Sequence, residues 1–256
     1  MKIALLVAYD GTDFHGFARQ KHARTVQGEL ESRLSLLLRA PVETAGAGST
    51  DAGVHAAGQV VSFDVSREID PAWVQMRLNK LLAPEVVVRT AAKVPDDFSA
   101  RFSATRRAYE YRLYRSPVPD PFRDRFALWV PGPLSLSKMR AAARALIGEH
   151  DFSSFCRRGE GSMVRRIRSI SFSSRQDELI VRIKADSFCH QMVRSVVGLL
   201  LEVGAGKRAP GDVGKALRAK HRNAAGPVAA ARGLHLVAVG YRPSPFERVD
   251  PTPSRR

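Results

Sequence analysis

Residues 42–65 read V-E-T-A-G-A-G-S-T-D-A-G-V-H-A-A-G-Q-V-V-S-F-D-V. The stretch divides into a short strand, Val42–Ala45, a glycine-rich connection from Gly46 to Gly58, and a second strand, Gln59–Val65. Upstream, Val26, Leu30, Leu34, Leu37 and Leu38 fall at helical spacing and predict a helix over about Val26–Leu38. Before it, the branched apolar run Ile3–Tyr9 reads as a buried strand, followed by turn composition over Gly11–Arg24. Downstream, Asp70 followed by Pro71 starts a helix that should reach Leu82, and Val86–Val94 closes the unit as a strand. The order is β-α-β-β-α-β.

The second half repeats the plan. Arg107–Arg115 alternates Tyr109, Tyr111 and Leu113 with charged residues, as a half-buried strand does. A helix over about Ser137–Ile147 ends at Gly148, and Val164–Ser174 with Glu178–Ala185 flank Gln176-Asp177 as a hairpin. His190–Val203 predicts a buried helix, Asp212–Lys220 a shorter exposed one, and His235–Tyr241 a last strand. The expected architecture is an α+β fold of two ferredoxin-like units sharing a mixed, largely antiparallel sheet. The domains should be 1–105 and 106–242, with a proline-rich disordered tail over 243–256.

Charge separates the two halves more sharply than fold does. The chain carries 41 Lys+Arg against 25 Asp+Glu, a net +16. Residues 1–105 hold 12 of each sign, so the whole surplus lies beyond residue 105. Such a surplus implies a polyanionic partner, nucleic acid or an anionic membrane, over a merely solvated basic surface. A composition of 44% hydrophobic and 26% charged residues excludes collagen-like, membrane-embedded and wholly disordered classes. No apolar run approaches the roughly 20 residues that span a bilayer. The most basic run, Arg157–Arg168, contains Gly159 and Gly161 and reads as a loop, not as a membrane-surface helix. Cys156 and Cys189 have no metal-ligand spacing and give no reason to expect a disulfide, which fits a cytoplasmic protein.

Two segments look like sites. Ala8-Tyr9-Asp10-Gly11-Thr12 imitates the D-x-D-G-T motif of haloacid-dehalogenase-type phosphatases, but the nucleophile position is Ala8. Gly46–His55 is denser: glycines allow close backbone approach, and Asp51 stands mid-loop between Thr50 and His55. Taken alone, Asp51 is a nucleophile, a general base or the capping residue of an Asx-turn.

The segment from Gly46 to Val60 resembles the signature of the TruA family of tRNA pseudouridine synthases. Similar matches run in order along the chain. They include Tyr9-Asp10-Gly11-Thr12 with Phe14 and Gly16, Arg24–Gly28, Ala100–Ala104, Arg107 with Tyr109 and Tyr111, Gly148–Phe155, Met192-Val193-Arg194 and Ala225-Gly226-Pro227. The resemblance implies the pseudouridine synthase fold, and isomerisation of uridine to pseudouridine at positions 38 to 40 of the tRNA anticodon arm, without metal or cofactor. It also implies a homodimer. On this reading Asp51 is the catalytic carboxylate, Tyr109 stacks on the target base and is a candidate base for the C5 proton, and Arg194 pairs with Asp51. Arg101, Arg107 and His190 are further candidate RNA contacts.

Three departures stand out. The family arginine two positions before the catalytic Asp, associated with flipping the target nucleotide, is Ser49. Asp186–Gln191 replaces a segment ending in a pair of histidines, and Val228-Ala229-Ala230 replaces Thr-Ala-Pro. The rival reading is a non-catalytic or degenerate RNA-binding protein of the same fold. The aromatic signature of RRM modules, however, is absent from every candidate strand.

Overall fold

A computed structural model describes residues 1–157 and 161–246. The fold is α+β, with ten strands and five α-helices among the described residues. The chain forms two compact units, Met1–Thr105 with the segment from Leu236 onward, and Arg106–His235.

In the first unit β1 (Lys2–Tyr9) lies between β3 (His55–Asp64) and β4 (Val86–Val94), antiparallel to both. Leu5 stands opposite Val61 on one side and Ala91 on the other. Ile3, Ala4, Leu5 and Val7 lose all contact with solvent, which is why the run is apolar without alternation. The short β2 (Thr44–Gly46) pairs with β3. Helix α1 (Val26–Leu38) begins where the Thr25 hydroxyl accepts from the Gly28 N–H at 3.2 Å, and buries Val26, Leu30 and Leu34. In α2 (Pro71–Leu82) the Asp70 carboxylate accepts from Ala72 N–H at 2.9 Å, and Val74, Leu78 and Leu82 form the buried stripe. Both helices and β4 fall where the sequence puts them.

The second unit orders its strands β5 (Arg106–Tyr114), β9 (Glu178–Ala185), β8 (Val164–Arg175), β7 (Gly148–Asp151), all antiparallel, with β6 (Leu128–Trp129) parallel to β5. Its helices are α3 (Leu136–Ala143), α4 (Met192–Gly204) and α5 (Asp212–Ala219). The last strand, β10 (Leu234–Gly240), runs back into the first unit: the Tyr241 hydroxyl donates to Ala100 O at 2.7 Å and Thr105 N–H to Gly240 O at 2.8 Å.

Several expectations need correction. The α3 helix stops at Ala143 and tightens into a 3-10 turn, Arg144–Leu146. Gly148, at φ +109°, then opens β7 instead of capping a helix. The α4 helix begins two residues late because Gln191 takes a left-handed φ of 65°. The basic run thought to be a loop is strand from Val164, with exposed Arg166 and Arg168 flanking buried Ile167, while residues 158–160 lie outside the described residues. Within the segment expected to be a disordered tail, Phe246 packs on the core around Ala47, Val60, Ala100 and Tyr241, and residues 247–256 lie outside the described residues. Cys156 and Cys189 come together with Cα atoms 5.8 Å apart, within the reach of a disulfide, a proximity of which the 33-residue spacing gave no sign.

Helix α4 is buried nearly all round, and at its centre Gly198 lies so near the 227–229 backbone that a Cβ would stand 2.0 Å from Pro227 O. Helix propensity alone makes Gly198→Ala stabilising by about 1 kcal/mol. The clash should instead cost about 1–3 kcal/mol. Urea unfolding decides between the signs, and a midpoint at or above that of the parent protein refutes the close-packing account.

Candidate functional site

Asp51 lies half-buried on the loop between β2 and β3, and backbone groups on both sides of it are held by hydrogen bonds. Ala47 N–H donates to Val60 O at 2.8 Å, and the Gln59 side-chain amide to Gly48 O at 2.7 Å. Phe17 N–H donates to Thr50 O at 3.0 Å, and Val54 N–H closes a turn on Asp51 O at 3.1 Å. Beneath the loop, the Tyr9 hydroxyl and Thr50 Oγ1 share a hydrogen bond of 2.8 Å, both groups buried. Burial pushes the Tyr9 phenol up to about 12, against the smaller opposing effect of that bond.

Two glycines make this closeness possible. At Gly16 (φ +96°) a Cβ would lie 2.7 Å from Thr50 O and 3.3 Å from Asp51 C, and at Gly11 one would lie 2.0 Å from Val54 O. The Y-D-G-T motif is therefore the brace of the Asp51 loop. Asp10 accepts from Thr12 N–H at 3.0 Å and from its hydroxyl at 2.7 Å. The buried His55 ring places Nδ1 3.1 Å from Gly11 N and 3.2 Å from Asp10 Oδ1. A neutral ring accepts from Gly11 there, while a protonated one donates to Asp10.

In the second unit, Arg107 and Tyr109 share one face of β5. Both meet the segment that leads into α4. Arg107 Nη1 donates to Asp186 O at 2.9 Å, and the Asp186 carboxylate is itself paired with Arg168. The buried Tyr109 ring meets Phe188 edge-on, centroids 5.0 Å apart and planes at 85°. His190 is exposed, and its carbonyl accepts from Arg157 N–H at 3.0 Å. Arg194, half-buried on α4, donates from Nε to Ala229 O at 2.8 Å, while Ala229 N–H donates back to Arg194 O at 3.1 Å. The Tyr111 hydroxyl donates to Ala230 O at 2.7 Å, and burial holds its pKa well above the usual range despite the nearby Arg194 charge.

The structure thus gathers Arg107, Tyr109, His190 and Arg194 along one segment, Asp186–Arg194, of the second unit. Asp51 and the exposed Arg101 belong to the first. Ser49 is exposed on the Asp51 loop, beside Gly48, where a Cβ would meet open space. Arg194 and Tyr111 hold the 228–230 segment, but they do so through backbone carbonyls that any side chain supplies. Sequence reasoning missed the supporting residues Tyr9, Gln59, Phe188 and Ala229. Tyr9 and Gln59 lay inside quoted motifs, yet their partners are not visible in a linear string. Among the described residues, no cluster of His, Cys, Asp or Glu could hold a metal ion, and no helix is long and apolar enough to cross a membrane.

A β-α-β-β-α-β plan with a rigid carboxylate loop between its two middle strands defines a pseudouridine synthase class of α+β fold. The sequence matches the family described as tRNA pseudouridine synthase over residues 5–103 and 142–242, and the chain belongs to that family. It is 42% identical over 245 residues to the tRNA pseudouridine synthase A of Bacillus licheniformis, covering 94% of this chain and 99% of the relative. Identity is 44% over 236 residues to that of Halalkalibacterium halodurans, with 91% and 90% covered. For Vibrio parahaemolyticus it is 42% over 253 residues, with 96% and 94% covered.

The Tyr9 brace has a pH signature. Its folded pKa lies above the ordinary value of 10.0, so the folded state keeps a proton that the unfolded chain releases. The stabilisation is complete below pH 10 and is lost as the pH rises toward about 12, by up to about 2–3 kcal/mol. Tyr9→Phe should flatten that alkaline decline in urea-unfolding midpoints, and an unaltered decline would remove Tyr9 as its cause.

Proposed function

We propose that the protein isomerises uridine to pseudouridine at positions 38 to 40 of the tRNA anticodon arm, with Asp51 as the catalytic carboxylate. The observation that carries this reading is the loop itself: its backbone is fixed on both sides of Asp51 while the carboxylate stays half-buried. Catalysis gains from a group that needs no reorganisation at the moment of reaction.

The reaction balances without a cofactor. The N1–C1′ bond of uridine breaks, the uracil turns, a C5–C1′ bond forms, C5 gives up its proton and N1 gains one. Asp51 attacks or assists at the sugar or base and must be ionised to do so. Arg194 is the cation that the family resemblance pairs with it, its guanidinium oriented by the Ala229 carbonyl. Tyr109 presents its ring to the flipped base, supported edge-on by Phe188, and is the candidate base for the C5 proton. Arg101, Arg107 and His190 contact the RNA, and the positive surplus beyond residue 105 forms the wall that receives its phosphates. The same reading makes the protein a cytoplasmic homodimer. In that reducing compartment Cys156 and Cys189 would stand as two adjacent thiols.

The exposed Ser49 supports the second reading, a degenerate member that retains RNA affinity. Release of tritium from C5-labelled tRNA separates the two. The parent protein should release it, and Asp51→Asn should lower the rate at least about a thousandfold. Undiminished release from Asp51→Asn would sink the assignment. Ser49→Arg should raise turnover, because the exposed position leaves room for the longer side chain. An unchanged rate would mean that another arginine, Arg101 or Arg107, covers the flipping role. Affinity for tRNA should fall steeply with salt, by about 0.7–0.9 in log K per unit log salt for each phosphate neutralised. A flat dependence would contradict the basic wall.

A further inference from the structure

The segment Ser99–Ser103 connects β4 to β5 and builds a small rigid turn. Ser99 N–H donates to Ser103 Oγ at 3.0 Å, Ser103 N–H donates to Ser99 O at 2.9 Å, and Phe102 N–H donates to Ser99 Oγ at 3.3 Å. The turn hangs from Ala100, which is wholly buried. Ala100 N–H donates to the Ser62 hydroxyl at 3.0 Å, and its carbonyl accepts from the Tyr241 hydroxyl at 2.7 Å. The same core cluster contains Ala47 and Val60, whose backbones join at the start of the Asp51 loop. Turn and loop are thus rooted in one piece of core.

What this rooted turn displays is unusual for a rigid surface. Phe102 is 83% exposed, and the Arg101 guanidinium lies 5.4 Å from the centre of its ring. The other large exposed apolar side chains of the first unit, Leu36, Met76 and Leu81, stand on α1 and α2. One aromatic face beside one cation is far too small for a protein interface, which takes about 800 Å² per partner. It matches the size and chemistry of a single nucleotide, whose base has a π-face and whose phosphate takes a guanidinium.

We propose that Arg101 and Phe102 form a docking point for one unstacked nucleotide of the RNA substrate, Phe102 stacking on the base and Arg101 contacting the adjoining phosphate. Phe102 is a positioning residue: with turn and Asp51 loop anchored in one core cluster, a base seated on it sets the register of the RNA relative to the carboxylate. The proposal rests on the RNA-modifying reading above and names a contact beyond it.

The test uses the full chain and unmodified tRNA transcript, measuring Kd by filter binding over a range of salt, C5-tritium release, and sedimentation of the protein alone. Phe102→Ala should weaken binding about 5- to 100-fold, with the melting temperature and the salt slope unchanged. Phe102→Trp should bind like the parent, while Phe102→Leu should remain weak, because stacking needs a ring. Arg101→Gln should lower the salt slope by about 0.7–0.9, one phosphate. Parent-like binding by Phe102→Ala, or full rescue by Phe102→Leu, overturns the proposal. So does a change in sedimentation by Phe102→Ala without RNA, which would assign the ring to a second copy of the chain. If the parent protein releases no tritium yet Phe102→Ala binds weakly, the docking point stands and the isomerase reading falls. If the parent releases tritium and Phe102→Ala binds normally, the reverse holds.

Discussion

Two polypeptide segments under the Asp51 loop approach so closely that no side chain fits between them, and the rest of the first unit is arranged to permit this. With Gly11 under Val54 O and Gly16 under Thr50 O, backbone amides and carbonyls meet directly, as in Phe17 N–H to Thr50 O. The Tyr9–Thr50 hydrogen bond ties the end of β1 to the loop from below. Strand β1 is therefore more than the centre of a sheet. Its C-terminal end, with the turn that follows, forms the floor of the candidate site, and the burial of Val7 and Tyr9 keeps that floor still.

Rigidity in the second unit comes by a different route. The segment Asp186–Arg194 has no regular structure until α4 begins, yet it is pinned at each step. Asp186 O holds Arg107, its carboxylate holds Arg168, Phe188 meets Tyr109, and His190 O takes Arg157 N–H. Gln191 then turns the chain through a left-handed φ before the helix starts. Arg194 continues the pattern by clamping Ala229 from both its side chain and its carbonyl. Arginine suits these roles because its planar fork serves more than one acceptor and stays charged throughout.

How much of this could be read from the sequence depended on range. Helix α1, helix α2 with its Asp70 cap, β4 and β9 follow from local periodicity and capping chemistry, and their residues carry those signals in full. Strand β7 is four residues, Gly148–Asp151, with no apolar alternation, and only pairing with β8 makes it a strand. Gln191 in a left-handed conformation defies its own preference, so the early helix start predicted from composition had no local reason to fail. The motif pattern singled out the candidate residues Asp51, Tyr109 and Arg194. It could not expose their supports, because Tyr9 and Thr50 are 41 residues apart and Arg194 and Ala229 are 35 apart. Contacts at that separation are made by the fold.

The charge surplus takes on a sharper meaning once the ion pairs are placed. Beyond residue 105, the described carboxylates of Glu110, Asp124, Glu149, Asp151, Asp177, Glu178, Asp186, Glu202 and Asp212 each lie within ion-pair distance of an arginine or lysine. Exposed pairs of this kind add little to stability. Their consequence is electrostatic: these nine carboxylates are compensated locally, so an approaching phosphate meets less repulsion from them. Asp51, by contrast, stands in the part of the sequence whose charges sum to zero. The net positive field therefore originates in the part of the sequence that does not contain Asp51.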